Sequence, residues 1–416
     1  MQRAILHSDL NNFYASVECL SHPELNDKPV VVGGDPEMRH GIVLAKNQLA
    51  KATGIQTGEA LWIARQRCPG LVVVPPHFPR YLEFAQQVRE IYGTYTDRVE
   101  PFGLDEAWLD VTGSRQGSGE AIAQEIRRRV KRETGLTVSV GVSFNKVFAK
   151  LGSDMKKPDA VTVITRENYR ERVWPLPVED LLYVGPATAE RLHRHGILTI
   201  GNLAACDDEL LHSLFGRTGP ALALAARGLD ESPVALADDD HEVIKSVGNS
   251  TTTPRDLVCD EDARLVLLAL SESVAARLRE QGLRCSTVQI SVRENDLTTF
   301  ERQTRLTTPT NVSGQIAAVA MELLRANYRW TKPIRSLGVR GTDLTPADAP
   351  RQMDLFGVEE RQLRRERLEQ TLDSVRQRYG TGSILRASLM GDLPLAASGL
   401  KTDPILTTVG LAMDGS

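Results

Sequence analysis

The chain opens on Ala4-Ile5-Leu6-His7-Ser8-Asp9, an apolar run ending in an acid, and passes at once into Asn11-Asn12-Phe13-Tyr14-Ala15-Ser16-Val17-Glu18. The first stretch predicts a buried strand and the second the start of a helix, with an Asn suited to cap it. Short strands are expected over 30–34 and 41–45, followed by a basic helix over 46–53 and a helix ending near Arg67. A strand over 71–74 is stopped by Pro75-Pro76, and residues 78–94 carry apolar side chains at helical spacing. Residues 98–103 and 107–111 read as two strands meeting at a bend that contains Asp105 and Glu106. A helix over 120–134, a valine-rich alternating strand over 136–143, a helix over 145–155 and a strand over 161–164 complete an α+β sheet domain with helices on one face. The Gly-rich phosphate loop of Rossmann and P-loop folds is missing from this alternation.

Near Trp174-Pro175-Leu176-Pro177 the texture changes to short helices. Residues 181–192 followed by 196–203 have the pattern of a helix-hairpin-helix, in which a Gly turn aims backbone N–H groups and a helix N-terminus at a phosphate, whatever the base sequence. An ordinary helical hairpin is the plainer alternative. A Pro- and Asp-bearing linker over 232–240 leads to a strand (244–251), helix (260–281), strand (287–293), strand (299–306), helix (311–328) and strand (334–342). This βαββαβ order makes a separate small α+β domain. A second linker, 346–350, precedes Gln352-Met353-Asp354-Leu355-Phe356, an isolated apolar pentapeptide, and a charged helix over 359–379. Residues from about Asp392 onward read as a flexible tail.

Hydrophobic residues make up 41% of the 416, enough for real cores, while the net charge of −4 excludes a chain that is basic as a whole. Contact with nucleic acid therefore has to come from local basic surface. The five cysteines are scattered, with no C-x-x-C pair, which argues against a zinc site or a disulfide framework and fits a reducing cytoplasm. No apolar run is long enough to span a membrane.

Within a regular strand adjacent side chains point to opposite faces, so Asp105 and Glu106 serve one site only if the backbone bends between them; Gly103 makes the bend plausible. Paired carboxylates repel unless a cation lies between them, and hard oxygen ligands of this kind suit Mg²⁺. A polar hairpin turn is the alternative. Asp9 alone reads as a helix-capping residue; taken with Asp105 and Glu106 it makes a plausible two-metal site. The run Arg127-Arg128-Arg129-Val130-Lys131-Arg132 reads by default as a solvated helix face. Arg293, Arg302, Arg305 and Arg340 occupy exposed strand positions from which they can track a phosphate backbone. The Leu355-Phe356 pair suggests a peptide that docks in a partner's groove, or a staple for the C-terminal helix.

Asp9 with the 12–18 segment, Leu104-Asp105-Glu106-Ala107-Trp108-Leu109-Asp110, and residues 140–150 through Lys156-Lys157-Pro158 together resemble the Y-family DNA polymerases, in particular the bacterial polymerase IV branch that copies past damaged bases. The likeness runs in order from residue 1 to about 356. It implies an α+β right-hand architecture: palm from 1–10 and 78–165, fingers 11–77, thumb 166–232 with the helix-hairpin-helix, a linker over 233–242, a little finger 243–345 and a C-terminal region 346–416. It also implies roles. Asp9, Asp105 and Glu106, with the carbonyl of Leu10, match the ligands of two catalytic Mg²⁺ ions. Tyr14 matches the steric gate that rejects a 2′-hydroxyl, and Lys157 the lysine on the incoming triphosphate. Gln48 and Lys51 fall on the fingers helix that meets that triphosphate, Gly185 and Ala187 on the phosphate-binding hairpin. Gln352, Met353, Asp354, Leu355 and Phe356 match the peptide that binds the sliding clamp, the polymerase's beta-subunit partner.

The expected protein is thus an error-prone, template-directed DNA polymerase without proofreading. It would act as a monomer on primer-template DNA and deoxynucleoside triphosphates, in the cytoplasm and associated with the nucleoid. Four positions depart from the usual pattern: Gln48 stands for Tyr, Lys51 for Arg, Asn11 for Asp, and Tyr183 for the first Gly of the hairpin. Lys51 keeps the charge and loses the two-pronged geometry of Arg. Two other readings follow from the same residues: a catalytically weak scaffold that holds DNA and the clamp, and a palm-type nucleotidyl cyclase, against which the hairpin and the pentapeptide argue.

Overall fold

The computed structural model describes residues 3–35, 39, 41–237, 244–350, 358–380 and 382–400. It divides into two compact units, the first built on Met1–Gly33 and Val43–His241, the second on Gly34–Ile42 and Glu242–Gly410.

The first unit begins with β1 (Ile5–Leu10), α1 (Phe13–Ser21), β2 (Val30–Gly33), β3 (Val43–Lys46), α2 (Gln48–Ala52), α3 (Leu61–Arg67) and β4 (Val72–Val74). It continues through α4 (Phe78–Gly93), β5 (Val99–Pro101), β6 (Glu106–Asp110), α5 (Gly119–Thr134), β7 (Val138–Ser143), α6 (Lys146–Met155) and β8 (Val161–Val163). Strands β5-β6-β1-β7-β8 form one sheet, with β1 antiparallel to both neighbours. All six residues of β1 and of β7 are buried, so both faces of the sheet are covered. On one face Ser8 accepts a hydrogen bond from Tyr92 of α4 (2.8 Å), and Gly119 of α5 lies against Leu6 and Val142. On the other, His7 meets Ser153 of α6 (2.8 Å). This corrects the expectation of helices on one face. The misleading feature is the Ser139, Gly141, Ser143 face of β7, which reads as solvent-facing. Its small side chains instead admit α6 at backbone contact, where a Cβ on Gly141 would lie 1.9 Å from the Ala149 carbonyl oxygen.

A second sheet, β3-β2-β4, packs with α2 and α3 around Val31, Val43, Ile55 and Leu61. The expected basic helix over 46–53 is shorter: Lys46 ends β3, and Asn47 caps α2 by accepting from the Ala50 N–H. The cap expected on α1 is absent as well. Asn12 holds the N-cap position in a left-handed conformation (φ 52°) without a side-chain bond to the helix. Beyond β8 come α7 (Tyr169–Arg172), α8 (Pro186–His193), α9 (Ile200–Ala204), α10 (Asp208–Phe215) and α11 (Thr218–Ala226). Their core of Val173, Leu192, Ile200, Leu211 and Leu222 continues into Phe144, Phe148 and Leu151 at α6, so this helical module is anchored on the same helix that covers the sheet.

The second unit holds β9 (Ser246–Leu257), α12 (Asp260–Glu280), β10 (Leu283–Glu294), β11 (Thr299–Thr310), α13 (Ser313–Asn327) and β12 (Ile334–Pro346), in sheet order β11-β10-β12-β9. Val288, Ile290 and Val292 of β10 face the helices. Then follow α14 (Val358–Tyr379) and α15 (Leu393–Leu400). The tail expected from about Asp392 is therefore partly a helix, with Leu395 and Ala396 buried against α12. Among the described residues no helix is long and apolar enough to cross a membrane, and all five cysteines are free.

Candidate active site

The register of β1 against β6 sets Asp9 directly opposite Glu106, and residues paired this way in an antiparallel sheet project to the same face. The bend before β6 turns on Gly103 (φ 91°), a conformation that suits glycine. It leaves Asp105 at the mouth of the strand, where its carbonyl accepts from the Leu10 N–H at 2.9 Å. The three acids are thus gathered at one sheet end by strand pairing and a single turn.

Two ammonium groups from α6 and the turn after it complete the cluster. Lys150 Nζ lies 2.7 Å from Glu106 Oε2 and 3.7 Å from Asp9 Oδ2. Lys157 Nζ lies 2.8 Å from Asp9 Oδ2 and 2.8 Å from Asp154 Oδ1. Beneath them His7, fully buried, places Nε2 3.2 Å from Glu106 Oε2 and stands edge-on to Trp108. With Glu106 ionised, that contact is attractive when Nε2 carries the proton; Nδ1 lies 2.8 Å from Ser153 Oγ, whose hydroxyl also reaches the Lys150 carbonyl at 2.7 Å. Burial holds the His7 pKa below its ordinary value, so the ring is a neutral donor.

The electrostatics separate the carboxylates. Burial and the adjacent Glu106 charge raise Asp9, against the pull of Lys157. Burial and Glu106 push Asp105 up to about 6. Burial acts on Glu106 in the same direction but is overcome by His7 and Lys150, which lower its pKa. Among the described residues no three metal-binding groups are already drawn into one coordination sphere; lysine ammonium groups stand between the acids instead. The donor set nonetheless fits a hard divalent cation. It is all oxygen, it is confined to one sheet end, and burial together with the Glu106 charge disfavours the ionised forms of Asp9 and Asp105, which such an ion would stabilise.

Tyr14, in the first turn of α1, is set on an aromatic platform. Its ring stacks on Tyr81 (centroids 4.3 Å apart, 12° between planes) and meets Phe78 edge-on. The Tyr81 hydroxyl donates to Glu18, fully buried, which also meets His77 Nδ1 at 3.0 Å. Gln48 and Lys51 lie exposed, three apart on α2 and hence on one helix face. Gly185 caps α8, and its first-turn Ala187 is exposed. Tyr183, where the motif usually has Gly, adopts φ 72° with its ring 67% exposed. The hairpin keeps the glycine-like backbone and turns the tyrosine ring outward.

Two family models match the chain, the impB/mucB/samB family over residues 8–154 and the impB/mucB/samB family C-terminal domain over 244–355. DNA polymerase IV of Acetivibrio thermocellus is 53% identical over 394 residues, spanning 94% of this chain and 98% of that protein. The chain belongs to the Y-family polymerases, within the impB/mucB/samB group. Among other members, DNA polymerase IV of Moorella thermoacetica is 41% identical (93% of this chain, 96% of that one), and DNA polymerase IV 2 of Bacillus subtilis is 38% identical (93% and 94%). A solved Y-family DNA polymerase chimera has the same fold, with a TM-score of 0.72 at 23% identity, covering 82% of this chain and 99% of that one.

In the second unit, Arg293 and Arg340 project from the sheet face opposite the helices, as does Arg305, which pairs with Thr287. Arg302 differs. It pairs with Ile290, so it lies on the helix side of edge strand β11, over the Phe300 ring at 5.5 Å. Three of the four arginines expected to track a phosphate backbone thus share one sheet face, and Arg302 does not. Arg127 and Lys131, from the basic run on α5, are taken up by Asp159, and Arg129 by Glu133. Residues 352–356 lie outside the described residues. Sequence reasoning missed His7, Glu18, His77 and Tyr81. His7 was findable, since it shares the i, i+2 face of Asp9, whereas the Glu18–Tyr81 pair joins positions 63 apart and left no local signal.

Proposed function

We propose that this Y-family member is a template-directed DNA polymerase of the translesion type, extending a primer 3′-end by two-metal-ion catalysis with Mg²⁺ and without proofreading. The observation that carries the reading is the convergence of Asp9, Asp105 and Glu106 at the end of one strand pair.

Asp9, Asp105, Glu106 and the Leu10 carbonyl are the residues that would hold the metals. Bound there, the ions would acidify the primer 3′-hydroxyl and neutralise charge on the triphosphate and on the pyrophosphate that leaves it. The protein's share is positioning and charge. His7 and Lys150 hold Glu106 ionised and in place. Lys157, now on Asp9, has the reach and charge to meet the incoming triphosphate, with Lys51 and Gln48 presented from α2. Tyr14, held by Tyr81 and Phe78, occupies a fixed position under the sugar and excludes a 2′-hydroxyl. The α8 hairpin and the outward Arg293, Arg305 and Arg340 suit phosphate contact independent of base sequence. Arg302, on the other sheet face, takes no part in that track. Residues 352–356 would dock on the sliding clamp, with the enzyme acting as a monomer in the cytoplasm at the nucleoid.

Single-nucleotide incorporation opposite each of the four template bases tests this function. The proposal requires that the added nucleotide follow the template and that chelation of Mg²⁺ stop the reaction. Retention of DNA with no incorporation opposite any base would favour the scaffold reading.

A further inference from the structure

Asn11 follows the Asp9–Leu10 end of β1, and its surroundings give it a definite task. The side chain is 4% exposed and fully engaged. Its Nδ2 donates to Ser139 Oγ (3.0 Å), and its Oδ1 accepts from Thr137 Oγ1 (3.1 Å) and from the Asp159 N–H (2.8 Å). The two donors converging on Oδ1 fix the orientation of the amide. Its backbone N–H pairs with Thr137 O and its carbonyl accepts from Ser16 Oγ. One buried amide therefore joins the end of β1, which carries Asp9 and Leu10, to β7, to α1, and to the Lys156–Asp159 turn, which carries Lys157.

That turn needs an anchor. Asp159 sits at φ 53°, a left-handed conformation that a residue bearing a side chain keeps best where neighbours hold it. Arg127 and Lys131 grip its side chain and carbonyl from the more exposed flank. The Asn11 amide is the buried bond on its N–H. An uncharged amide makes this connection without adding a fourth negative charge two residues from Asp9.

We infer that Asn11 is a positioning residue for Lys157: it sets the distance between the metal-binding strand end and the lysine that meets the triphosphate, and so acts on nucleotide binding more than on the chemical step. This rests on the polymerase reading above. In Asn11→Ala the KM for the incoming nucleotide should rise about tenfold, the value of the buried bond to the Asp159 N–H among the three lost, with kcat and DNA affinity nearly unchanged. Asn11→Asp, which keeps both acceptor contacts and lets Ser139 donate, should recover most of the affinity. In a double-mutant cycle with Lys157→Ala the two KM effects should be far from multiplicative, because the first acts through the second. If Asn11→Ala fails to fold, Asn11→Ser, too short to reach the Asp159 N–H, takes its place.

Multiplicative KM effects, or an Asn11→Ala variant that loses only melting temperature while KM holds, would overturn the inference. Amide exchange at Asp159 and Ala160 supplies an answer that needs no activity. Faster exchange there in Asn11→Ala, with β7 still protected, supports the anchor, and unchanged exchange refutes it. Should the wild type incorporate nothing, the polymerase reading fails, while the exchange result still decides the placement of the turn.

Discussion

Gly141 is the point at which the catalytic sheet and α6 touch, and Gly141→Ala is the sharpest perturbation the fold offers away from the acids. The added Cβ would lie 1.9 Å from Ala149 O, 2.5 Å from Ser153 N and 2.9 Å from the Gly152 carbonyl carbon. Every one of these is backbone, so no side chain can swing aside. Relief requires α6 to lift by roughly 1 Å, which forfeits a quarter to a half of each dispersion contact beneath it. Overpacking of this kind costs about 1–3 kcal/mol or more, or several degrees of melting temperature for a unit of this size. The same lift moves Lys150 from Glu106 and Ser153 from His7, and a misplacement of about 1 Å near a reacting centre costs on the order of a hundredfold in rate. Thermal melting and single-nucleotide incorporation should therefore fall together. Gly93→Ala is the control: a Cβ there meets nothing within 4 Å at the exposed end of α4, so stability should hold or rise by about 0.5–1 kcal/mol. A Gly141→Ala protein with wild-type melting and wild-type rate would refute the close-packing account of how α6 positions the site.

Three further outcomes are expected. Tyr14→Ala should erode discrimination against ribonucleotides by about ten- to a hundredfold, the value of a steric overlap of roughly 1–3 kcal/mol; unchanged discrimination in paired single-nucleotide assays would remove Tyr14 as the gate. The folded-state pKa of Asp105, about 6, lies above its ordinary 3.8, so the metal-free native state binds more protons and stability falls as pH rises through this window. Mg²⁺ should then raise the melting temperature more at pH 8 than at pH 5.5, and an equal shift at both would contradict the shared-charge account. Leu355→Ala with Phe356→Ala should weaken sliding-clamp binding by tenfold or more, as loss of two apolar anchors does, and leave clamp-free extension intact; unchanged affinity in a direct binding assay would remove the peptide's assignment.

The parts of the site that were legible share one property: their signal is local. Asp105 and Glu106 stand beside Gly103 and between two strand-like runs, and Asp9 ends a third, so a glycine bend between strands was enough to make a shared site plausible. What escaped was carried by long-range pairing or by small residues. Ser139, Gly141 and Ser143 look like a solvated strand face, yet serve as the bed for α6, because a missing side chain lets backbone approach backbone. Glu18 and Tyr81 meet only in the fold. Helix α14 (Val358–Tyr379) was legible as a charged helix, but the way it packs was not. It docks through Gln362 and Glu369, buried polar residues that bond Pro309 O, Arg279, Ser313 and Arg386, so no apolar stripe announces the contact.

The central claim is that three carboxylates at one sheet end form a metal-dependent nucleotidyl-transfer site. Primer extension with Mg²⁺ and one deoxynucleotide at a time, comparing the wild type with Glu106→Ala, tests it most directly. Template-matched incorporation by the wild type and its loss in the variant, with DNA binding retained, is the expected result. Equal incorporation by both proteins, or by neither, would contradict it.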